Sequence, residues 1–100
     1  MGRFFMWYVY VLYSPGGSKS YVGYTSDVER RMEEHNFIGT KGFTISYRPW
    51  TLIHYEAYSS KREAIIREKF LKTGRGRDEI KVFVADFLRE GKVSFAAAKD

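Results

Sequence analysis

Tyr21, Arg31 and His35 supply a phenol, a guanidinium and an imidazole within one short stretch of chain. Tyr21 opens the run Tyr21-Val22-Gly23; Arg31 follows eight residues after that glycine, and His35 four after that. A phenol whose pKa is lowered by nearby cations can serve as a general base. A guanidinium can clamp a phosphate or stabilise charge building on it in a transition state. With Tyr10 in the earlier run Tyr8-Val9-Tyr10, and Glu68 far downstream, the set has the chemistry of phosphodiester cleavage.

Glu68 is expected on the apolar side of a helix, because Ala64, Ile65 and Leu71 share its face. A carboxylate there must be paired or hold a cation; an ion pair with Arg31 and a metal ion both satisfy that need. Arg31 and His35 lie one turn apart, flanked by Val28 and Met32, so both border the core. Arg31 can instead pair with Glu34 or Glu68, and His35 can bond a carbonyl at a helix end. Asn36 reads as a helix-ending residue. Most tyrosines read as sheet packing with the hydroxyl at the rim. Tyr10 and Tyr21 stand out because a hairpin would bring their hydroxyls to one spot.

The elements that must position these groups follow from local pattern. Met6 to Tyr13 reads as a strand, Ser14 to Ser18 as a turn and Ser20 to Tyr24 as the second strand of a hairpin. Ser26-Asp27-Val28-Glu29 is a capping box opening a helix to about Asn36. Phe37 to Pro49 reads as a loop carrying ligand contacts, and Trp50 to Tyr58 as a third strand. Ser60-x-x-Glu63 caps a helix to about Thr73, ended by Gly74 and Gly76. Asp78 then caps a last helix with an apolar stripe at Ile80, Phe83, Val84, Phe87 and Leu88, stopped by Gly91. The order β-β-α-β-α-α implies an α+β domain, residues 1–91, with a loosely held tail over 92–100.

At 100 residues, with 44% hydrophobic and 18% aromatic content, the chain supports one domain and a modest core. The lack of cysteine excludes disulfides, thiolate metal sites and cysteine nucleophiles, and fits a reducing, cytoplasmic setting. No apolar run approaches the roughly 20 residues of a membrane span. Met1 to Leu12 alternates like a strand and lacks a small-residue cleavage site, so it does not read as a signal peptide. No Ser/His/Asp elbow or P-loop spacing occurs. Two histidines make zinc a poor fit. Core-facing carboxylates are too few for a two-metal nuclease. Net charge is +5, with bases concentrated from Lys61 to Lys81. That excess favours polyanions, or forms an ordinary solvated helix face.

Taken in order, Tyr8-Val9-Tyr10, Tyr21-Val22-Gly23, Arg31, His35 and Glu68 resemble the GIY-YIG nuclease superfamily. More narrowly, the set looks like its small stand-alone bacterial members, related to the nuclease domain of the excision-repair C subunit. Residues 27–36 are similar to that group's first-helix signature. Arg48-Pro49-Trp50, Tyr55-Glu56-Ala57 and residues 67–77 look like its later blocks, so the resemblance spans roughly residues 5 to 90. It implies a three-stranded antiparallel sheet flanked by three helices, and one divalent cation, Mg2+ or Mn2+, held mainly by Glu68. It further implies that Tyr21 activates or orients the attacking water, Tyr10 positions water or phosphate, Arg31 stabilises the phosphate, and His35 assists proton transfer or holds it. Two departures stand out. Tyr8 replaces the first motif's glycine, and the asparagine that many nucleolytic members carry after the metal glutamate is missing, Asn36 being the chain's only one.

Two readings follow. One is a magnesium-dependent endonuclease on DNA, with RNA as an alternative substrate, acting in repair or recombination and either structure-directed, weakly specific or given its specificity by a protein partner. The other is a non-catalytic nucleic-acid-binding module on the same fold. Phosphate contacts are expected from Lys41, Arg48, Arg62, Arg67, Arg75 and Arg77, with Phe43, Tyr47 and Trp50 stacking on unpaired bases. A protein-interaction domain without DNA affinity is a third, plainer reading.

Overall fold

Alternation along one strand organises the molecule. In the computed structural model, which describes residues 6–39 and 42–97, β1 (Trp7–Ser14) is central and buried on both faces. Val9 and Val11 point to one side, Tyr10 and Leu12 to the other, and none is more than 1% exposed. β2 (Lys19–Thr25) pairs antiparallel with β1, setting Tyr10 opposite Gly23 and Leu12 opposite Tyr21. β3 (Thr51–Tyr58) pairs antiparallel on the other side, with a register shift between Val11 and Leu12.

Helices cover both faces. α1 (Val28–Phe37) lies over the Tyr10–Leu12 side, where Trp50, Tyr21, Met32 and Tyr47 complete a hydrophobic layer rich in aromatics. α3 (Lys61–Leu71) and α4 (Gly74–Glu90) cover the Val9–Val11 side through Ala64, Leu71, Ile80, Phe83, Val84 and Phe87. Between α1 and β3 the expected loop contains a single helical turn, α2 (Phe43–Ser46).

Several sequence expectations need correction. The sheet is four-stranded and mixed, in the order β2-β1-β3-β4, not three-stranded and antiparallel. Residues expected as tail form β4 (Ser94–Ala97), which pairs parallel with β3. Four small and aromatic residues are too short for a strand pattern, and the free edge of β3 supplies the pairing that local sequence does not. Asp27, not Ser26, caps α1: its side chain accepts from Arg30 N. Thr73, not Asp78, caps α4, and Gly74 and Gly76 open that helix instead of ending the one before. Gly76 sits there because a Cβ would strike the backbone of Phe70 and Leu71. Leu88, assigned to the apolar stripe, is 62% exposed.

On the α3–α4 side, Glu56 is buried among His54 (2.9 Å), Tyr58 (2.7 Å) and Arg67 (2.8 Å), and Arg67 also reaches Glu79 (2.6 Å). Burial alone would raise the Glu56 carboxyl. The bonds from His54, Arg67 and Tyr58 outweigh it and hold the carboxyl at about 2, against an ordinary 4.5. Because the folded value is depressed, this stabilisation is full above about pH 5 and drains as pH falls from 4.5 towards 2. A shift of that size is worth about 3 kcal/mol. In urea titrations at pH 5.5 and 2.5, the protein should lose about that much more stability than Glu56→Gln.

Candidate active site

The site forms at β2, an edge strand of the sheet, where α1 from one face meets α3 from the other. At the end of β2 the Thr25 hydroxyl donates to Asp27 O (3.2 Å) and accepts from Asp27 N (3.1 Å). This fixes the corner into α1, whose first turn is capped by Asp27. Arg31, one turn in, therefore emerges beside Tyr21 and Gly23. From the opposite face α3 sends in Glu68. A cavity of about 410 Å³ is lined by Tyr10, Tyr21, Gly23, Arg31, Lys61 and Glu68, with Trp7, Tyr24, Thr25 and Ser26.

Four of the five candidate catalytic residues thus share one hollow; His35 stands behind it. The His35 imidazole is buried, with Nε2 2.9 Å from the Tyr10 hydroxyl and its ring edge-on to Tyr21 at 4.9 Å. Burial, reinforced by the charge of Arg31, holds it below its ordinary pKa and therefore neutral at pH 7. Burial and the neighbouring Tyr21 push the Tyr10 phenol well above its ordinary value, outweighing Arg31. The base role open to a cation-lowered phenol is thus closed to Tyr10. It remains a protonated hydroxyl, joined to His35 by a neutral hydrogen bond.

The glycine of Tyr21-Val22-Gly23 has a steric cause. A Cβ at position 23 would land on the Tyr10 ring and hydroxyl, 2.6 Å from Cζ. Tyr10 is 1% exposed and bonded to His35, so it has nowhere to retreat. Gly23→Ala should destabilise by about 1–3 kcal/mol, the range for overpacking. That appears as a lowered thermal midpoint, with loss of the Tyr10–His35 contact in a variant structure.

The charged groups are paired locally. Arg31 Nε lies 3.0 Å from Glu34 Oε1, with its side chain 42% exposed. Glu68, 12% exposed as its helix face required, accepts from Lys72 Nζ at 2.6 Å. An Arg31–Glu68 bridge is not among the ion pairs of the described residues. Lys61, also on the cavity wall, lies over the Trp7 ring at 5.3 Å. In the sequence alone, Lys61 and Lys72 read as members of a general basic stretch. The i,i+4 spacing of Glu68 and Lys72 was the missed signal.

As a cation site, the donor set is hard and sparse. Among the described residues no three His, Cys, Asp or Glu side chains converge as a cage. Glu68 offers one carboxylate inside a polar hollow, and a lysine ammonium already rests on it. That suits Mg2+ or Mn2+, which can bind through one carboxylate with water and phosphate oxygens completing the shell. Asn36 is engaged elsewhere. Its amide donates to Trp50 O (3.0 Å) and accepts from Trp50 N (2.6 Å), so Asn36, in the last turn of α1 as the sequence suggests, also braces the helix end to the residue before β3.

The expected nucleic-acid contacts divide. Arg62, Arg75 and Arg77 are exposed. Arg67 is not brought to the cavity, being engaged by Glu56 and Glu79. Arg48 donates to the carbonyls of Glu34, His35 and Ile38, closing the end of α1. Trp50 is 3% exposed, and its indole donates to Thr44 O at 2.6 Å, which removes it from base stacking. Lys41 lies outside the described residues, as does the Phe43 side chain.

Fold and cavity together define an α+β domain that gathers a phenol, a guanidinium and a carboxylate beside a tyrosine-bearing hairpin. Residues 6–80 match the GIY-YIG catalytic domain. The chain belongs to the GIY-YIG family, whose type of function is that of a nuclease. Its relatives are small proteins. A UPF0213 protein of Halobacterium salinarum is 43% identical over 67 residues, covering 67% of this chain and 86% of that protein. Another, from Staphylococcus haemolyticus, is 37% identical over 75 residues, covering 75% and 90%. The solution NMR structure of a UPF0213 protein of Bacillus halodurans is 28% identical with a TM-score of 0.47, covering 77% of this chain and 83% of that one. No helix among the described residues is long and apolar enough to cross a membrane.

Proposed function

We propose that the protein is a divalent-metal-dependent endonuclease that hydrolyses phosphodiester bonds in DNA. The observation that carries this reading is the convergence of Tyr21, Arg31 and Glu68 on one cavity with Tyr10 at its floor. Glu68 would hold Mg2+ or Mn2+, which when bound supplies Lewis-acid stabilisation of charge on the phosphate oxygens. Arg31 releases Glu34 readily, the pair being exposed. Its guanidinium then clamps the scissile phosphate and offsets charge as the attacking water adds. Tyr21 orients that water and accepts or relays its proton. Tyr10, protonated, donates to water or phosphate while His35 fixes its ring, so His35 is a positioning residue. The P–O3′ bond breaks as the water oxygen bonds to phosphorus, and the 3′ oxygen leaves as an alkoxide that takes a proton from solvent. The non-catalytic binding module gains one observation, the Lys72 ammonium seated on Glu68.

Branched, flapped and plain DNA incubated with Mg2+ or Mn2+ separates the two readings. Cleavage by the parent that vanishes on chelation supports the enzyme. Metal-independent binding that survives Glu68→Ala, with no cleavage of any substrate, supports the module.

A further inference from the structure

A second groove leaves the cavity at Tyr21. It runs between the start of β2 and the α3–α4 junction, with a volume of about 570 Å³. Its floor is apolar and buried, formed by Val22, Leu71 and Ile80. Its rim carries Lys19, Lys72, Arg77 and Lys81, and among the described residues no acidic side chain lines it. Among the described residues no ion pair engages Lys19, Arg77 or Lys81; Lys19 has only the face of the Tyr47 ring, at 5.8 Å. This differs from the far side of α3, where Glu56 and Glu79 neutralise Arg67. Two residues join the groove to the cavity. Tyr21 lines both, and Lys72 lines the groove while its ammonium touches Glu68.

We infer that this groove is the track for the DNA strand flanking the scissile phosphate, with Lys19, Arg77 and Lys81 contacting its backbone phosphates. The inference rests on the proposed nuclease reading, because it takes its direction from a phosphate placed at Tyr21 and Arg31. Unpaired cations on a groove rim suit a polyanion, and contacts to phosphate alone give affinity without sequence preference. The groove therefore supplies length and salt dependence beyond the cavity that holds the scissile phosphate. Of the residues on its rim, the sequence pointed to Arg77 alone as a phosphate contact. Lys19 lies on the hairpin, more than fifty residues away in sequence, and only the fold brings it opposite α4.

The test is metal-free binding of a labelled DNA duplex of about 20 base pairs, followed by fluorescence anisotropy over a range of salt concentrations. Lys19→Gln/Lys81→Gln removes one charge from each wall. Arg89→Gln/Lys92→Gln removes the same charge at, and just beyond, the C-terminal end of α4. All four side chains are exposed, so unchanged thermal midpoints certify the folds. Each lost phosphate contact lowers the slope of log affinity against log salt by about 0.9, so the groove pair should lower it by about 2. Affinity near 0.1 M salt should drop at least about tenfold, and the distal pair should keep the parent slope. Equal behaviour of the two pairs, or no binding by the parent, overturns the inference. The readout is independent of cleavage. A parent that binds through the groove but cuts nothing defeats the nuclease reading, and a parent that cuts with an unchanged groove slope defeats only this one.

Discussion

Glu68→Ala should reduce metal-dependent cleavage by at least about a thousandfold, while the protein stays folded. In the proposed mechanism this carboxylate is the one protein ligand to the cation, and cation stabilisation of a phosphoryl transition state is worth several kcal/mol. At 1.36 kcal/mol per decade, loss of about 4 kcal/mol is a thousandfold in rate. The fold should tolerate the change, because Glu68 sits on a cavity wall and its partner Lys72 is 54% exposed, a pairing that contributes little. Single-turnover cleavage beside a thermal melt separates the two effects. Comparable loss of rate and melting point would mean that Glu68 is structural.

Arg67→Met should be among the most destabilising substitutions in the molecule, by about 3–5 kcal/mol. It strands Glu56, whose side chain is 7% exposed, with His54 and Tyr58 as its remaining partners among the described residues, and it removes the ion pair of Glu79. The double variant Glu56→Gln/Arg67→Met removes the orphaned charge and should recover part of that loss, because such pairs are non-additive. Urea denaturation of both single variants and the double one gives the coupling. Purely additive effects would show that the network is not a unit.

How far the sequence reveals this molecule depends on the range of each signal. Strand alternation and helix spacing place the hairpin, α1 and α3 within a residue or two and the end of α4 at Gly91, whereas the start of α4 lies about five residues before the expected Asp78 cap; the apolar neighbours of Glu68 foretell its burial. The meeting of Tyr21, Arg31 and Glu68 followed from motif order, since no local rule brings α3 to the edge of β2. The misses are mostly contacts between distant segments. Arg48 and Arg67 resemble surface bases until the carbonyls of α1 and the carboxylates of Glu56 and Glu79 are placed beside them. Asn36 does lie at the end of α1, but its bonds to Trp50 are invisible until the fold brings Trp50 beside it. β4 exists because β3 offers an unpaired edge, and a four-residue window carries no such information. The capping errors differ in kind: Ser26 and Asp27 both satisfy a cap pattern, and the hydroxyl of Thr25 decides between them by fixing the turn at Asp27.

The most direct measurement is a crystal of the protein with Mn2+ and a short DNA carrying a non-cleavable phosphorothiolate linkage. The account predicts an anomalous peak at coordination distance, about 2.1 Å, from the Glu68 carboxylate, displacing Lys72. The same map should show the scissile phosphate in contact with Arg31 and the Tyr21 hydroxyl facing the line of water attack. Manganese bound away from Glu68, or DNA seated on a face that leaves Arg31 and Tyr21 in solvent, contradicts it.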